Sequence, residues 1–132
     1  MTPLLDTHVL LWWLAEPRRL SKQQRRVLNK AGPSEPVLLS DISRWETAML
    51  HALGRIRLGL PVRGWLERAT APPLVQRIGI NPAIAAEVAA LPKSFQRDPT
   101  DRIIVSTARV HGATLLTCDR RIIDAALVAT LE

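Results

Sequence analysis

Pro3-Leu4-Leu5-Asp6-Thr7-His8-Val9-Leu10-Leu11-Trp12-Trp13-Leu14 is the stretch on which the fold turns. A short apolar run ends on a carboxylate, and a segment of helical character follows at once. Residues 3–6 read as a buried strand that stops at Asp6. Thr7 is placed to cap a helix from His8 to Leu14, closed by Pro17. A strand apolar on both faces belongs inside a parallel sheet with helices above and below it. A carboxylate at the end of such a strand faces the rim of the sheet, where ligands of open α/β folds bind.

Working outward, the same unit recurs. Ser21 caps a helix from Lys22 to Lys30, and Gly32-Pro33-Ser34-Glu35-Pro36 is a loop. Val37-Leu38-Leu39 is a second buried strand. Ser40 and Asp41 compete to cap a third helix, which carries Ile42, Trp45, Met49 and Leu53 at helical spacing. Gly54 and Gly59 punctuate its end, and residues 62–70 form a short helix. Leu74 to Ile80 is a third strand. Asn81 and Pro82 open a helix to Leu91. After a loop from Lys93 to Arg97, Asp98 and Pro99 open a helix that runs to His111 and is closed by Gly112. Leu115 to Thr117 is a fourth strand, Asp119 to Ala126 a loop or short helix, and Val128 to Leu131 an edge strand. The expected architecture is one three-layer α/β/α domain over residues 1–132 with a short, mostly parallel central sheet.

The chain has 132 residues, 47% hydrophobic and 23% charged, and a formal net charge of +6. A length and composition of this kind suit a folded globular domain rather than disorder. The basic balance favours a polyanionic partner. One cysteine, Cys118, excludes an internal disulfide and suits a reducing cytoplasm. Val9 to Leu14 is too short to span a bilayer.

Against this basic background, five acidic residues stand in places that solvation does not explain. Asp6 and Asp119 end apolar runs, Glu46 lies within a helix, and Asp98 and Asp101 open an apolar one. Carboxylates gathered at one rim repel each other unless a hard cation lies between them. Mg²⁺ and Mn²⁺ prefer oxygen donors of this kind. Simpler roles compete: Asp98 serves as a helix cap, with or without a part in the metal site, and Asp101 suits the first turn of a helix. Cys118 reads as a buried thiol. His8, His51 and His111 show no zinc-ligand spacing. Trp12, Trp13, Trp45 and Trp65 read as core or interface aromatics.

These segments together resemble the PIN-domain ribonucleases, in particular the VapC toxins of toxin–antitoxin pairs. The similarity lies in Leu4-Leu5-Asp6-Thr7-His8, Ile42-Ser43-Arg44-Trp45-Glu46, Asp98-Pro99-Thr100-Asp101-Arg102 and Leu115-Leu116-Thr117-Cys118-Asp119, in that order along nearly the whole chain. Thr100 departs from the aromatic residue usual there. The resemblance implies a Mg²⁺- or Mn²⁺-dependent endoribonuclease with Asp6, Glu46, Asp101 and Asp119 as its catalytic set. Asp6, Asp101 and Asp119 would touch metal, Glu46 would serve a second ion or the attacking water, and Asp98 would be auxiliary. Ser43, Thr117 and Arg102 are candidate substrate contacts, with carboxylate partners as the competing reading. The resemblance further implies an RNA substrate, a cognate antitoxin, a homodimer and no membrane. Arg18, Arg19, Lys22, Arg25, Arg26, Arg55 and Arg57 are candidate phosphate contacts. The competing functions are a catalytically silent nucleic-acid-binding or regulatory domain of the same fold, and a DNA-directed metal nuclease.

Overall fold

The computed structural model describes residues 1–132. Its strands are β1 (Pro3–Leu5), β2 (Val37–Ser40), β3 (Val75–Ile78), β4 (Thr114–Leu116) and β5 (Thr130–Leu131), and its helices are α1 (Thr7–Ala15), α2 (Lys22–Asn29), α3 (Asp41–Ala52), α4 (Val62–Ala69), α5 (Pro82–Ala90), α6 (Pro99–His111) and α7 (Arg120–Ala125). The five strands form one parallel sheet in the order β3-β2-β1-β4-β5.

Neighbouring residues on each strand point to opposite faces, and here both faces are covered. Leu4, Leu38 and Leu115 belong to one apolar cluster, together with Ile84 of α5, Ile104 and Val105 of α6, and Ile122 of α7. Leu5, Val37, Leu39 and Leu116 belong to the other, with Val9 and Leu10 of α1 and Leu28 of α2. That two-sided burial is why the strands lack a polar face in the sequence. It also makes the fold a three-layer α/β/α sandwich.

The chain leaves β1 toward β2 and β3, then crosses back to β4 on the other side of β1. A reversal of this kind opens a crevice between β1 and β4 beyond their C-terminal ends. Leu5 lies opposite Leu116 in register, so Asp6 and Thr117 emerge together at that crevice. No helix is long and apolar enough to cross a membrane.

Local signals explain the helix ends. Asp98 accepts from the Thr100 N–H (2.9 Å) with Pro99 behind it, and Gly112 closes α6 at φ 58°. Ser21 and Gln24 form a reciprocal capping box. Ser40, rather than Asp41, caps α3, because Ser40 keeps an extended backbone (ψ 138°) and accepts from the Ile42 N–H. Asp41 instead faces Arg77 and Arg44. Asp6 displaces Thr7 as the cap of α1: its carboxylate accepts the Thr7 N–H while Thr7 is already helical.

Candidate active site at the C-terminal rim of the sheet

Four segments meet at the crevice, one for each acidic motif. Asp6 follows β1, Glu46 lies in α3 after β2, Asp98 and Asp101 open α6, and Asp119 follows β4. Asp6 is 4% exposed and Asp101 8%, depths at which an ionised carboxylate needs partners.

Asp6 has them. One carboxylate oxygen accepts the Thr7 N–H (2.9 Å), and the other accepts the Thr117 hydroxyl (2.7 Å). The Thr117 oxygen in turn accepts the Asp119 N–H (3.0 Å), so β1 and the β4–α7 turn are tied through one side chain. His8 Nδ1 lies 3.5 Å from Asp6. The Thr7 hydroxyl donates to Ser43 Oγ (2.9 Å), which joins α1 to α3 beneath Glu46. Ser43 and Thr117 are therefore both engaged inside the protein, holding the elements that carry the carboxylates.

Asp101 is less well served. It accepts from Gln96 Nε2 (2.8 Å), and Arg121 reaches it only at 3.8 Å. Burial, then the charges of Asp6, Asp98, Asp119 and Glu46, push its carboxyl up to about 7. Glu46 is also raised, first by burial, with Asp6 and Asp98 adding to the effect and the Thr7 hydroxyl opposing it. Asp119 moves the other way. Burial works upward on it, but the Arg121 guanidinium (3.2 Å) and the Arg121 N–H (2.9 Å) outweigh that and hold it below the ordinary value. The five carboxylates thus sense one another across a single crevice. No three of them close on one point as a ready cage, and Arg121 is the cation that reaches two of them, Asp119 and Asp101.

Two sequence expectations need correction here. Arg102 meets neither a carboxylate nor the open crevice. Its guanidinium donates to the carbonyls of Val88, Leu91, Pro92, Phe95 and Gln96, because the end of α5 and the chain leaving it turn their carbonyls to that side. Cys118 is exposed rather than buried, since it lies past the end of β4. It also has a basic neighbour: His8 Nε2 lies 3.2 Å from its Sγ and accepts its backbone N–H. Burial and the Asp6 charge push the thiol up. Of the core and interface roles open to Trp45, its 55% exposure excludes the core and leaves the interface.

Gln96 and Arg121 are the residues that sequence reasoning passed over. Gln96 lies in a loop with no periodicity to mark it. Arg121 could have been found from Asp119, because a capping carboxylate invites a basic side chain from the turn it caps.

The donor set suits a hard divalent cation. It consists of carboxylate oxygens with hydroxyls beside them, and the mutual repulsion at Asp101 is what such a cation would relieve.

Comparison with known proteins identifies the family and the fold. Residues 4–127 match the PIN domain family. The chain is 43% identical to ribonuclease VapC22 of Mycobacterium tuberculosis over 121 residues, covering 92% of this chain and 89% of that protein. Its fold superposes with a TM-score of 0.71 on a chain of the VapBC2 complex of Rickettsia felis bound to promoter DNA, at 13% identity and over 99% of this chain and 98% of that one. A toxin–antitoxin complex from Klebsiella pneumoniae gives a TM-score of 0.65 at 22% identity, over 98% and 97% of the two chains. With its four acidic segments meeting at the switch point of a parallel sheet, the chain belongs to the PIN-domain family.

Proposed function

We propose that this protein is a Mg²⁺- or Mn²⁺-dependent endoribonuclease, the toxin of a toxin–antitoxin pair acting in the cytoplasm. The observation that carries the proposal is the meeting of Asp6, Glu46, Asp101 and Asp119 at one rim, in a chain with a net charge of +6 and 43% identity to a ribonuclease. Packed negative charge facing a phosphate has no use in a protein that only binds RNA. It has a use where a cation is held between protein and substrate.

A divalent cation bound here supplies Lewis acidity to water and to the phosphodiester. The residues divide the remaining work. Asp6, Asp101 and Asp119 would hold it through carboxylate oxygens. Thr117 and the Thr7 N–H fix the rotamer of Asp6, and Gln96 fixes that of Asp101. Asp119 must turn from Arg121 to join them. Glu46, whose carboxyl burial raises, would orient the attacking water and take its proton. Asp98 caps α6 and adds negative charge from the edge of the crevice.

Its partners in this reading are an antitoxin that covers the acidic crevice and a second copy of the chain. A cation on the antitoxin, arginine above all, would complement the carboxylates directly. The test is cleavage of single-stranded RNA with and without Mn²⁺, comparing wild type with Asp6→Ala and Asp101→Asn. Mn²⁺-dependent cleavage in the wild type and near-complete loss in both variants is expected. Cleavage that survives chelation, or that survives in both variants, would sink the proposal.

A further inference from the structure

Asp6, Glu46, Asp98, Asp101 and Asp119 border the crevice, and a divalent cation offsets only two of their charges. A phosphodiester arriving there adds negative charge, so the substrate's side of the site needs a positive group. Arg102, next to Asp101 in sequence, is spent on backbone carbonyls. Arg121 is not. Its guanidinium stands 3.2 Å from Asp119 and 3.8 Å from Asp101, with 67% of the side chain exposed.

The local structure does not ask for an arginine at this position. Arg120 and Arg121 open α7, where the helix dipole disfavours positive charge. Arg120 offsets this by pairing with Asp124 and Glu132, away from the crevice. Arg121 turns toward the crevice and lines a cavity of about 450 Å³ with Ser94, Phe95 and Gln96, the residue that also holds Asp101. Its ion-pair partners, Asp119 and Asp101, are two of the carboxylates that the ribonuclease reading assigns to the cation. Asp119 cannot serve the cation and Arg121 at full strength together. When Asp119 turns inward, the guanidinium is left at the rim without its closest partner, beside the phosphate that shares the cation.

From this exchange we propose that Arg121 has two positions: it holds Asp119 before the substrate arrives, and it grips the scissile phosphate once Asp119 turns to the cation. The donor fork already spans an oxyanion of the right kind. Nε lies 3.4 Å from Asp119 Oδ1 and Nη2 3.2 Å from Oδ2, and a guanidinium meets two phosphate oxygens in the same way. The inference rests on the ribonuclease reading and adds to it a residue that touches the substrate.

The test measures Mn²⁺ affinity by calorimetry without RNA, and kcat/KM for single-stranded RNA at saturating Mn²⁺. It compares wild type with Arg121→Gln, Arg121→Lys and Arg120→Gln. Arg121→Gln should bind Mn²⁺ about fivefold more tightly, the scale of one exposed ion pair that no longer has to be broken. Its kcat/KM should nevertheless fall about tenfold, because a charge-assisted phosphate contact is gone. Arg121→Lys should bind Mn²⁺ much as wild type does and recover part of the lost cleavage. Arg120→Gln removes the same charge one residue away and should leave both quantities as they are. Opposite movement of the two readouts is the signature. Unchanged or weaker Mn²⁺ binding in Arg121→Gln would make Arg121 a mere support for Asp119 and overturn the exchange. So would a wild-type kcat/KM in that variant, or equal changes in Arg120→Gln, which would report only the general field. A wild type that neither binds Mn²⁺ nor cleaves RNA defeats the ribonuclease reading itself, and the exchange with it. A wild type that does both, alongside an Arg121→Gln protein that matches it, defeats the exchange alone.

Discussion

With its carboxyl held at about 7, Asp101 keeps in the folded chain a proton that the unfolded chain releases near 3.8. Between those values the folded state binds more protons than the unfolded one, so stability falls as pH rises. Below the lower value both states are protonated and the penalty vanishes. Above the upper value both are ionised and the penalty is complete. Metal-free protein should therefore melt at progressively lower temperature as pH climbs from about 4 to 7. Asp101→Asn should flatten that dependence and raise Tm at neutral pH while removing cleavage. Saturating Mn²⁺ should do the same to the wild type's slope by giving the carboxylate a counter-charge. Calorimetry across this range decides it: an Asp101→Asn variant with the wild-type pH slope would mean that the repulsion lies elsewhere. Asp119 contributes with the opposite sign. Its depressed carboxyl stabilises the fold above its ordinary value and loses that contribution as pH falls. Two carboxylates at one rim thus have opposite pH dependence because burial and neighbouring charge dominate at Asp101, whereas the close Arg121 guanidinium and N–H outweigh burial at Asp119.

Elements set where those residues stand, and the loop between α5 and α6 shows how. Leu91 and Phe95 anchor it in the core, and Arg102 gathers five of the surrounding carbonyls. That loop presents Gln96 to Asp101. Removing the guanidinium leaves the carbonyls at the end of α5 without their donor. Arg102→Ala should cost about 2 kcal/mol, the scale of a hydrogen bond to a charged group. It should also lower the cleavage rate through Gln96. Arg102→Lys should recover little, because an ammonium cannot fork among carbonyls as a guanidinium does. Urea denaturation of the three proteins measures it, and an Ala variant as stable as wild type would remove the loop-holding role. Such side-chain destinations were not legible from sequence. The apolar runs and their capping residues predict the strands and most helix ends, which follow from local pattern, whereas the grouping of the distant carboxylates rests on the resemblance to the PIN-domain family. Arg102, Gln96 and the His8–Cys118 contact depend on how separate loops fold back on each other, which no spacing records. Cys118 was misread for a related reason: an apolar run marks a strand, but not the residue at which it leaves the core.

At the scale of the whole molecule, the two core clusters account for the inner faces of the sheet's helices but leave one stripe uncovered. Trp45 and Met49 lie at successive turns of α3 and Leu53 is its C-cap residue, and the three are 55%, 40% and 62% exposed. Spacing of four residues puts them on one face, which reads in sequence as a buried stripe. Here it opens on solvent, and large adjoining apolar side chains on a surface mark an interaction face. The same stripe lines a pocket of about 430 Å³ with Glu46 and Asp98, so whatever covers it also borders the catalytic rim. A second copy of the chain is the occupant that the proposed homodimer requires, and it would bring two acidic crevices near a shared surface. Self-association through this face predicts a concentration-dependent sedimentation coefficient in the wild type. Trp45→Glu should shift that equilibrium to monomer and lower Tm only at concentrations where the wild type is dimeric, because an exposed indole contributes little to the monomer's own stability. If the exposed stripe serves only an antitoxin, the wild type will sediment as a monomer at every concentration, and Trp45→Glu will instead abolish capture by that partner. A Trp45→Glu protein that still dimerises would place the interface on another face of the molecule and leave the α3 stripe unexplained.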